Sequence, residues 1–388
     1  MWILLLVLGA SGLQVLSRKE PITRLAFGSC ANQFRKKNPE IFHSIANWNP
    51  DLFVWLGDAI YADILTPFVG FKSRAIPEWK ALYDSFKQEE GYKQLREKVN
   101  ITGVWDDHDY GLNNAGKEFP LKRESKELYL DFLEEDRSIR DSHEGVYVSY
   151  TFGEKGKQVK LILVDIRYFR DSESDKEGDS LGEEQWQWLE NELRNPGDLT
   201  IIGNGIQINI EDRLSAVETW HKKSRERLFQ LIKEIPGVIL LSGDVHMGEI
   251  MRNPCLKYPL YEITSSGMTH TAFNVFGYLI YLGLYGTFPW TYDLTYRTVE
   301  KNFGTVEINW EDKWVELSVR DSYSQTLLAH KVAFEELNSE CESTYLCYQK
   351  PLERKLKHIG AFAGVFYLPL ALHLLALLIF LRKYTNSY

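Results

Sequence analysis

The stretch Leu52-Phe53-Val54-Trp55-Leu56-Gly57-Asp58 decides the fold class, because an apolar run of strand length ends directly on a glycine and a carboxylate. The arrangement recurs where Leu25 to Gly28 leads into Ser29-Cys30, Ile101 to Trp105 into Asp106-Asp107-His108-Asp109, and Val238 to Leu241 into Ser242-Gly243-Asp244-Val245-His246. Each run predicts a buried strand. Sites of α/β proteins assemble at the carboxyl ends of strands. We therefore expect the four strand ends to share one site.

Apolar, β-rich runs alternate with helical patterns over residues 22–320, which predicts a mixed α/β fold with more than one sheet. The predicted strands are Thr23–Phe27, Leu52–Leu56, Ile101–Trp105, Val146–Phe152, Val159–Val164, Thr200–Gly203, Val238–Leu241, Leu260–Thr264, Gly304–Ile308 and Trp314–Val319. The predicted helices are Glu40–Trp48, Glu78–Lys87, Tyr92–Lys98, Lys122–Leu133, Glu183–Leu193 and Lys222–Lys233.

Composition excludes several classes of protein. The chain has 388 residues, with 45 Lys and Arg against 54 Asp and Glu, and a net charge of −9. Nucleic-acid binding is not expected, because phosphate neutralisation needs a positive face. Hydrophobic residues at 44% argue against disorder, and four cysteines in this length exclude a disulfide scaffold.

The two ends of the chain predict targeting and anchoring. Residues 1–17 carry no charged side chain and indicate a signal peptide, with a short strand or helix of the domain as the alternative. Residues 359–381 also lack charged side chains, and 23 residues can span a bilayer core of about 30 Å. A lipid-anchor signal or a buried helix is the alternative at this end.

These runs predict a single-pass type I membrane protein of five segments. They are the signal peptide (1–17), the main domain (18–333), a juxtamembrane stretch (334–358), the transmembrane helix (359–381) and a cytosolic tail (382–388). The main domain would be luminal or extracellular, in the secretory pathway. Cys341 and Cys347 could then form a disulfide, and Asn100 stands in a glycosylation pattern.

The residue types at the strand ends suit a pair of metal ions. Cys, Asp and His together can hold a soft and a hard ion, and one carboxylate can bridge two ions about 3.5–4 Å apart. A histidine beside such a pair could protonate a leaving oxygen. The spacing alone leaves open which ligand binds which ion.

The ordered blocks resemble the PhoD-like (alkaline phosphatase D) family of metallophosphoesterases. The blocks that carry the resemblance are Phe27–Cys30, Leu56–Tyr61, Val104–Gly111, Val164–Arg170, Leu181–Trp186 and Leu241–His246. The resemblance covers about residues 22–320. It implies a four-layer αββα sandwich, a dinuclear metal centre and attack on phosphorus by a metal-activated hydroxide. The enzyme would act as a phosphomonoesterase, a phosphodiesterase or both.

The resemblance also implies roles for individual residues. Cys30, Tyr61 and His246 would bind the first metal, Asp107 and Asp244 the second, and Asp58 would bridge both. His108 would be the general acid and Asp109 would orient it. Arg167 would clamp the phosphate, and the remaining candidates for substrate binding are Asn204, Gln207 and His270.

Thiolate and phenolate favour iron at the first site, and carboxylates favour calcium at the second, with Zn, Mn and Mg as alternatives. Asp106 is expected to satisfy a backbone turn rather than to bind metal, His221 to lie outside the site, and Cys255 to be a lone thiol.

A third apolar stretch, Val275 to Trp290, is rich in aromatic residues and too short for a comfortable membrane span. It predicts either a buried helix or lid, or a segment that faces the membrane beside the site. The second possibility would favour a lipid-linked substrate. The sequence thus predicts a membrane-anchored phosphoester hydrolase, and the alternative is a non-catalytic receptor or adhesion ectodomain on the same fold.

Overall fold

A computed structural model describes residues 18–34, 39–210, 218–254, 256–271 and 294–340. The predicted signal peptide, Cys255, the Val275 to Trp290 stretch, the Cys341–Cys347 pair, the run 359–381 and the tail 382–388 lie outside these residues. Among the described residues, no helix combines the length and the apolar character that crossing a bilayer requires.

Two large sheets and a hairpin hold the strands. The strands are β1 Arg24–Gly28, β2 Leu52–Leu56, β3 Asp63–Thr66, β4 Gly70–Ser73, β5 Asn100–Val104, β6 Val148–Phe152, β7 Val159–Leu163, β8 Leu199–Gly203, β9 Val238–Ser242, β10 Gly248–Asn253, β11 Leu260–Ser265, β12 Leu294–Thr298, β13 Asn302–Asn309, β14 Trp314–Asp321 and β15 Thr326–Ala333. The helices are α1 Pro39–Trp48, α2 Ile76–Lys87, α3 Glu90–Lys98, α4 Asp107–Tyr110, α5 Lys122–Leu133, α6 Gly182–Leu193, α7 Lys222–Ile232 and α8 Phe334–Asn338, with a 3-10 turn at Arg140–Ser142.

The first sheet has the order β15-β14-β13-β1-β2-β5. Its strands β1, β2 and β5 run parallel, with Gly28 opposite Trp55 and Leu56 opposite Val104. Because parallel strands end at the same edge of a sheet, this register brings the turns after β1, β2 and β5 together.

The second sheet has the order β12-β10-β11-β9-β8-β7-β6. Strand β9 runs parallel to β8 and β11, with Gly203 opposite Leu241 and Thr264 opposite Ser242. The turn after β9 meets the first sheet closely: a Cβ at Gly243 would lie 2.5 Å from the carbonyl oxygen of Leu56. Only glycine permits this approach, and it joins the site-bearing edges of both sheets.

Alternating side chains build a layered core. Leu161, Ile201 and Ile239 of the second sheet pack with the first sheet, while their neighbours Ile162 and Ile202 pack on the other face, against α6 and α7. On the outer face of the first sheet, Trp55 contacts aromatic rings of α1, α2, α3 and α5, which are Phe42, Phe86, Tyr92 and Phe132. The predicted mixed α/β fold with more than one sheet is confirmed.

Every predicted strand and helix is present, with ends that shift by one to two residues. The strands that the sequence did not predict are β3, β4, β10, β12 and β15. Strands β3 and β4 pair only with each other, so no buried face gives them an apolar run. Strand β15 is an edge strand whose side chains are mostly exposed or half-buried, and its hydrophobic pattern is correspondingly weak.

Candidate metal centre

Several residues have left-handed backbone in the turns after β1, β2 and β9, where the edges of the two sheets meet. Cys30, Asp58, Asp244 and His246 have φ of 62°, 54°, 69° and 54°. Non-glycine residues adopt such angles rarely, and they concentrate at functional sites where the surrounding structure holds them. Gly57 also has a positive φ, 89°, and a Cβ there would lie 2.2 Å from the Cβ of Asp106. Four of the six predicted ligands therefore sit on backbone that turns abruptly out of buried strands.

The first group of side chains that could hold a metal ion joins both sheets. Ligand atoms of Cys30, Asp58 and His246 lie within 4.8 Å of one another. The Cys30 Sγ lies 3.4 Å from Asp58 Oδ2 and 3.1 Å from the Oγ of Ser266. The Tyr61 hydroxyl donates to the same Asp58 Oδ2 over 3.3 Å, so the phenol oxygen adjoins this group. The sequence did not single out Ser266, which also accepts the backbone N–H of His246 at 2.8 Å.

A second group shares Asp58 with the first. Ligand atoms of Asp58, Asp107 and His108 also lie within 4.8 Å of one another. Asp107 Oδ2 accepts the backbone N–H of Asn114 at 2.8 Å, which fixes the carboxylate at the start of α4. Asp244, the other predicted ligand of the second metal, belongs to neither group of described residues.

Buried negative charge dominates the electrostatics. Burial raises the pKa of Asp58 to about 7, with His108 opposing the shift and Asp107 adding to it. Burial and the charge of Asp58 raise the pKa of the Cys30 thiol. Burial, with the charge of Asp107, likewise raises the pKa of Asp244. Acidic groups crowded away from water in this way are stabilised by bound cations, and a thiol, a phenol, carboxylates and an imidazole are suitable donors. The residues present therefore fit a metal centre.

His108 is held by Asp63, a residue that the sequence analysis did not identify. His108 Nδ1 lies 2.8 Å from Asp63 Oδ1, and Asp63 Oδ2 accepts the backbone N–H of Asn113 at 2.8 Å. The imidazole also stacks on the Tyr61 ring, with centroids 4.1 Å apart. Burial alone would lower the pKa of His108, but the charges of Asp107 and Asp58 and the bond to Asp63 raise it. The sequence feature that could have pointed to Asp63 is its position, an acidic residue five places after the predicted ligand Asp58.

Asp109 does not orient His108, which corrects the role that the resemblance implied. Its Oδ1 accepts the backbone N–H of Asp106 at 2.7 Å and its Oδ2 that of Ala59 at 3.1 Å. Asp106 and Asp109 form a capping box around α4. Asp109 thus ties the start of α4 to the turn after β2. The expectation that Asp106 serves a backbone turn agrees with this geometry.

The structure also places Arg167 differently from the predicted phosphate clamp. Its side chain is fully buried, its Nε donates to Asp106 Oδ1 over 2.6 Å, and its two terminal nitrogens donate to Glu218 over 2.8 and 2.6 Å. Because both edges of the guanidinium already make these hydrogen bonds, it has no pair of N–H groups free to bind a phosphate. Glu218 follows 51 residues later in the chain, so no local sequence signal indicates this pair.

Of the other substrate-binding candidates, only His270 reaches the centre. Its Nε2 lies 3.2 Å from the Tyr61 hydroxyl, and its ring lies 4.3 Å from that of His246. Asn204 and Gln207 are buried, with Asn204 accepting the Trp220 indole N–H and Gln207 donating to Glu249 and Thr264. His221 bonds to Ser180 and Ser172 and belongs to neither ligand group, as expected.

Two solved structures and a family model resemble this chain. A solved structure described as the structure of PhoD is 16% identical, with a TM-score of 0.64 over 90% of this chain and 78% of that one. At this identity the likeness shows the fold. A second, of GAP50, the anchor in the inner membrane complex of Plasmodium, is 13% identical over 88% and 95% of the two chains, with a TM-score of 0.46. No curated protein sequence gave a significant match.

A family model described as PhoD-like phosphatase matches residues 25–258, more than half of the chain. The matched range contains the ligand-bearing ends of β1, β2, β5 and β9. The chain therefore belongs to the PhoD-like phosphatase family, a family of metal-dependent phosphoesterases.

Proposed function

We propose that this chain hydrolyses phosphoesters at a dinuclear metal centre bridged by Asp58. The observation that carries the proposal is that Asp58 belongs to both groups of metal-binding side chains. A carboxylate within reach of two ligand sets is the geometry that a bridged pair requires. The surplus of buried acids supports two cations rather than one, because a single ion would leave more of this negative charge uncompensated.

The two ligand sets differ in chemical character. Cys30, Tyr61 and His246 would hold the first ion with Asp58, and the thiol and phenol oxygen favour iron. Asp107 would hold the second with Asp58, and Asp244 would join them as the family resemblance implies. Carboxylates favour calcium, with Zn, Mn or Mg as alternatives. When bound, such ions polarise a phosphoryl oxygen and lower the pKa of a water molecule.

His108 is the proposed general acid. Asp63 holds its Nδ1, which leaves Nε2 to donate a proton to the leaving oxygen. The negative charges around it favour the protonated imidazole, and the Tyr61 ring fixes the imidazole plane. His270, beside Tyr61, would line the substrate pocket. The reaction thus moves one proton from His108 to the product alcohol.

We also propose the wider organisation that the sequence predicts. The contacts of the two sheets with each other and with the outer helices support a four-layer αββα sandwich. The uncharged runs 1–17 and 359–381 support a signal peptide and a transmembrane anchor, and hence a domain outside the cytosol with a glycan at Asn100. A lipid-linked phosphoester is the proposed substrate class, supported by the apolar Val275 to Trp290 stretch.

The test is an assay of the full chain on a chromogenic phosphomonoester and a phosphodiester, before and after chelation and metal restoration. Hydrolysis should disappear with chelation and with Asp58→Asn, and it should persist in Asp84→Asn, which alters an exposed acid that pairs with Lys80 on α2. Hydrolysis that survives both chelation and Asp58→Asn would overturn the proposal. A metal-loaded chain that hydrolyses neither ester would favour the receptor or adhesion alternative.

A further inference from the structure

The hairpin Asp63–Ser73, formed by β3 and β4, exposes an unusual amount of apolar surface. Five of the nine exposed large hydrophobic side chains among the described residues belong to it, namely Ile64, Leu65, Phe68, Val69 and Phe71. Phe68 at the tip is fully exposed, and Val69 and Leu65 are 75% and 63% exposed. Scattered exposed apolar residues are ordinary, but a cluster of this kind marks an interaction surface.

The tip of the hairpin holds its aromatic ring on strained backbone. Phe68 has a φ of 63°, in the left-handed region that bulky side chains rarely adopt. Neither β3 nor β4 joins a large sheet, so the hairpin projects as a two-stranded ribbon. Glycine or asparagine would suit this turn position with less strain. A contact between the Phe68 ring and another surface would account for a phenylalanine at this strained position.

The hairpin carries one exposed cation near its base. No Asp or Glu occurs from Ile64 to Pro77, whereas Lys72 and Arg74 do; Lys72 is exposed, and Arg74 forms an ion pair with Glu78. Lys72 stands opposite Ile64, so a cation adjoins the apolar residues at the base of the ribbon. Arg74 lies over the ring of Phe34, another exposed aromatic residue, at 4.8 Å. Apolar and aromatic residues next to cations are the composition of surfaces that enter the interface of an anionic bilayer.

The hairpin also adjoins the metal centre. Asp63 at its first position holds His108, and the Phe71 ring lies 5.6 Å from the His108 ring. Leu65 stands opposite Phe71 across the ribbon. A surface that binds the tip of the hairpin therefore lies on the same side of the metal centre as His108.

We propose that the β3–β4 hairpin inserts its tip into a lipid bilayer and thereby presents the metal centre to the membrane surface. A second protein is a poorer occupant, because a stable interface draws on about 20–30 residues of each partner, whereas this cluster holds five exposed apolar side chains. A bilayer is also within reach if residues 359–381 span it. The 18 residues 341–358 that connect this run to α8 and Ser339–Glu340 extend to at most about 60 Å. The consequence that phosphoesters in lipid headgroups reach His108 rests on the proposed function, whereas the docking itself does not.

The experiment places an environment-sensitive fluorophore on the tip of the full chain through Phe68→Cys. The chain is bound to vesicles of phosphatidylcholine and phosphatidylserine, and the labelled parent chain, with its own four cysteines, is the blank. Ile139→Cys is the matched control, because Ile139 is an exposed apolar residue, 49% exposed, outside the hairpin. The probe at position 68 should shift to the blue and be quenched by spin-labelled lipid but not by aqueous iodide. The probe at position 139 should show the reverse.

Two outcomes would overturn the proposal. Quenching at position 68 by iodide but not by spin-labelled lipid would show that the tip stays in water. Protection from both quenchers would mean that protein covers the tip, either the 275–290 segment or a second copy of the chain.

A second measurement separates docking from catalysis. Phe68→Ser should slow hydrolysis of a phosphoester embedded in vesicles while leaving hydrolysis of a matched soluble phosphoester unchanged, and Ile139→Ser should affect neither. If the chain proves inactive on both esters, the fluorescence result still decides the docking proposal. Equal rates for Phe68→Ser and the parent chain on the vesicle substrate would contradict the link to the substrate.

Discussion

At the scale of single residues, two carboxylates five positions apart take different roles because their surroundings differ. Asp58 belongs to both groups of side chains that could hold a metal ion, and burial raises its pKa to about 7. Asp63 instead accepts bonds from His108 and from a backbone N–H. The first arrangement suits an anion that binds cations, and the second suits an anion that orients an imidazole.

Replacing Asp63 with Asn tests the second role. The amide removes the charge that holds and stabilises the His108 imidazolium, so kcat should fall by about 10- to 100-fold. KM and the amount of bound metal should change little, because Asp63 contacts the proposed general acid His108 and a backbone N–H rather than a proposed metal ligand. Steady-state kinetics with metal analysis checks this. Loss of metal in parallel with activity would show that Asp63 acts through the centre rather than through His108.

Replacing Arg167 with Met tests the structural role that the geometry gives to this residue. Asp106 would stay buried without its cation and Glu218 would keep only Arg170, and breaking a buried ion pair in this way typically lowers the free energy of unfolding by about 3–5 kcal/mol. Denaturant unfolding measures the change. A variant of unchanged stability with a greatly raised KM would instead support the phosphate clamp that the sequence predicted.

At the scale of elements, the turn after β2 and the short helix α4 act as one unit. Asp109 joins them by accepting backbone N–H groups from both sides. In Asp109→Asn the amide offers only one acceptor oxygen, so one buried N–H loses its partner at a cost of about 1–3 kcal/mol. We expect a less stable chain that also retains less metal, measured by unfolding and metal analysis. Full metal retention with only kcat reduced would contradict this role.

The ligand-bearing strands could be predicted from sequence because each shows a local signal. Runs such as Leu52–Leu56 are apolar throughout and end on polar residues, so β1, β2, β5 and β9 and the candidate ligand positions at their ends follow from the pattern. The role of each residue came from the family resemblance. Parallel pairing then brings the ends together without further information.

The unpredicted features depend on contacts distant in sequence. The Arg167–Glu218 pair spans 51 residues, and nothing near Arg167 indicates that its charge is already compensated. Asp63 begins an isolated hairpin, where apolar periodicity carries no information about burial. Asn204 and Gln207 follow a strand end as expected, but their amides bond to buried partners, which are Trp220 before α7 and Thr264 on β11.

At the scale of the whole molecule, buried carboxyl groups make stability depend on pH. Burial raises the pKa of Glu262, on β11, from 4.5 to about 7. The folded chain then holds a proton that the unfolded chain releases, so the stabilisation is present below about pH 4.5 and is lost as the pH rises through 7. This group alone should lower the free energy of unfolding by about 3 kcal/mol across that window.

Denaturant unfolding at a series of pH values, for the parent chain and for Glu262→Gln, checks this effect. The amide does not titrate, so the variant should show a shallower loss of stability between pH 5 and 8. Parallel curves for the two proteins would contradict the assignment, because other buried acids contribute equally to both.

The central claim for the molecule is that its fold holds two metal ions that share Asp58. The most direct test is the number of metal ions bound per full chain, measured by elemental mass spectrometry after loading with iron and calcium. We predict two ions per parent chain, loss of both in Asp58→Asn, and loss of only the iron in Cys30→Ser. One ion or none in the parent chain, or two retained in Asp58→Asn, would contradict the claim.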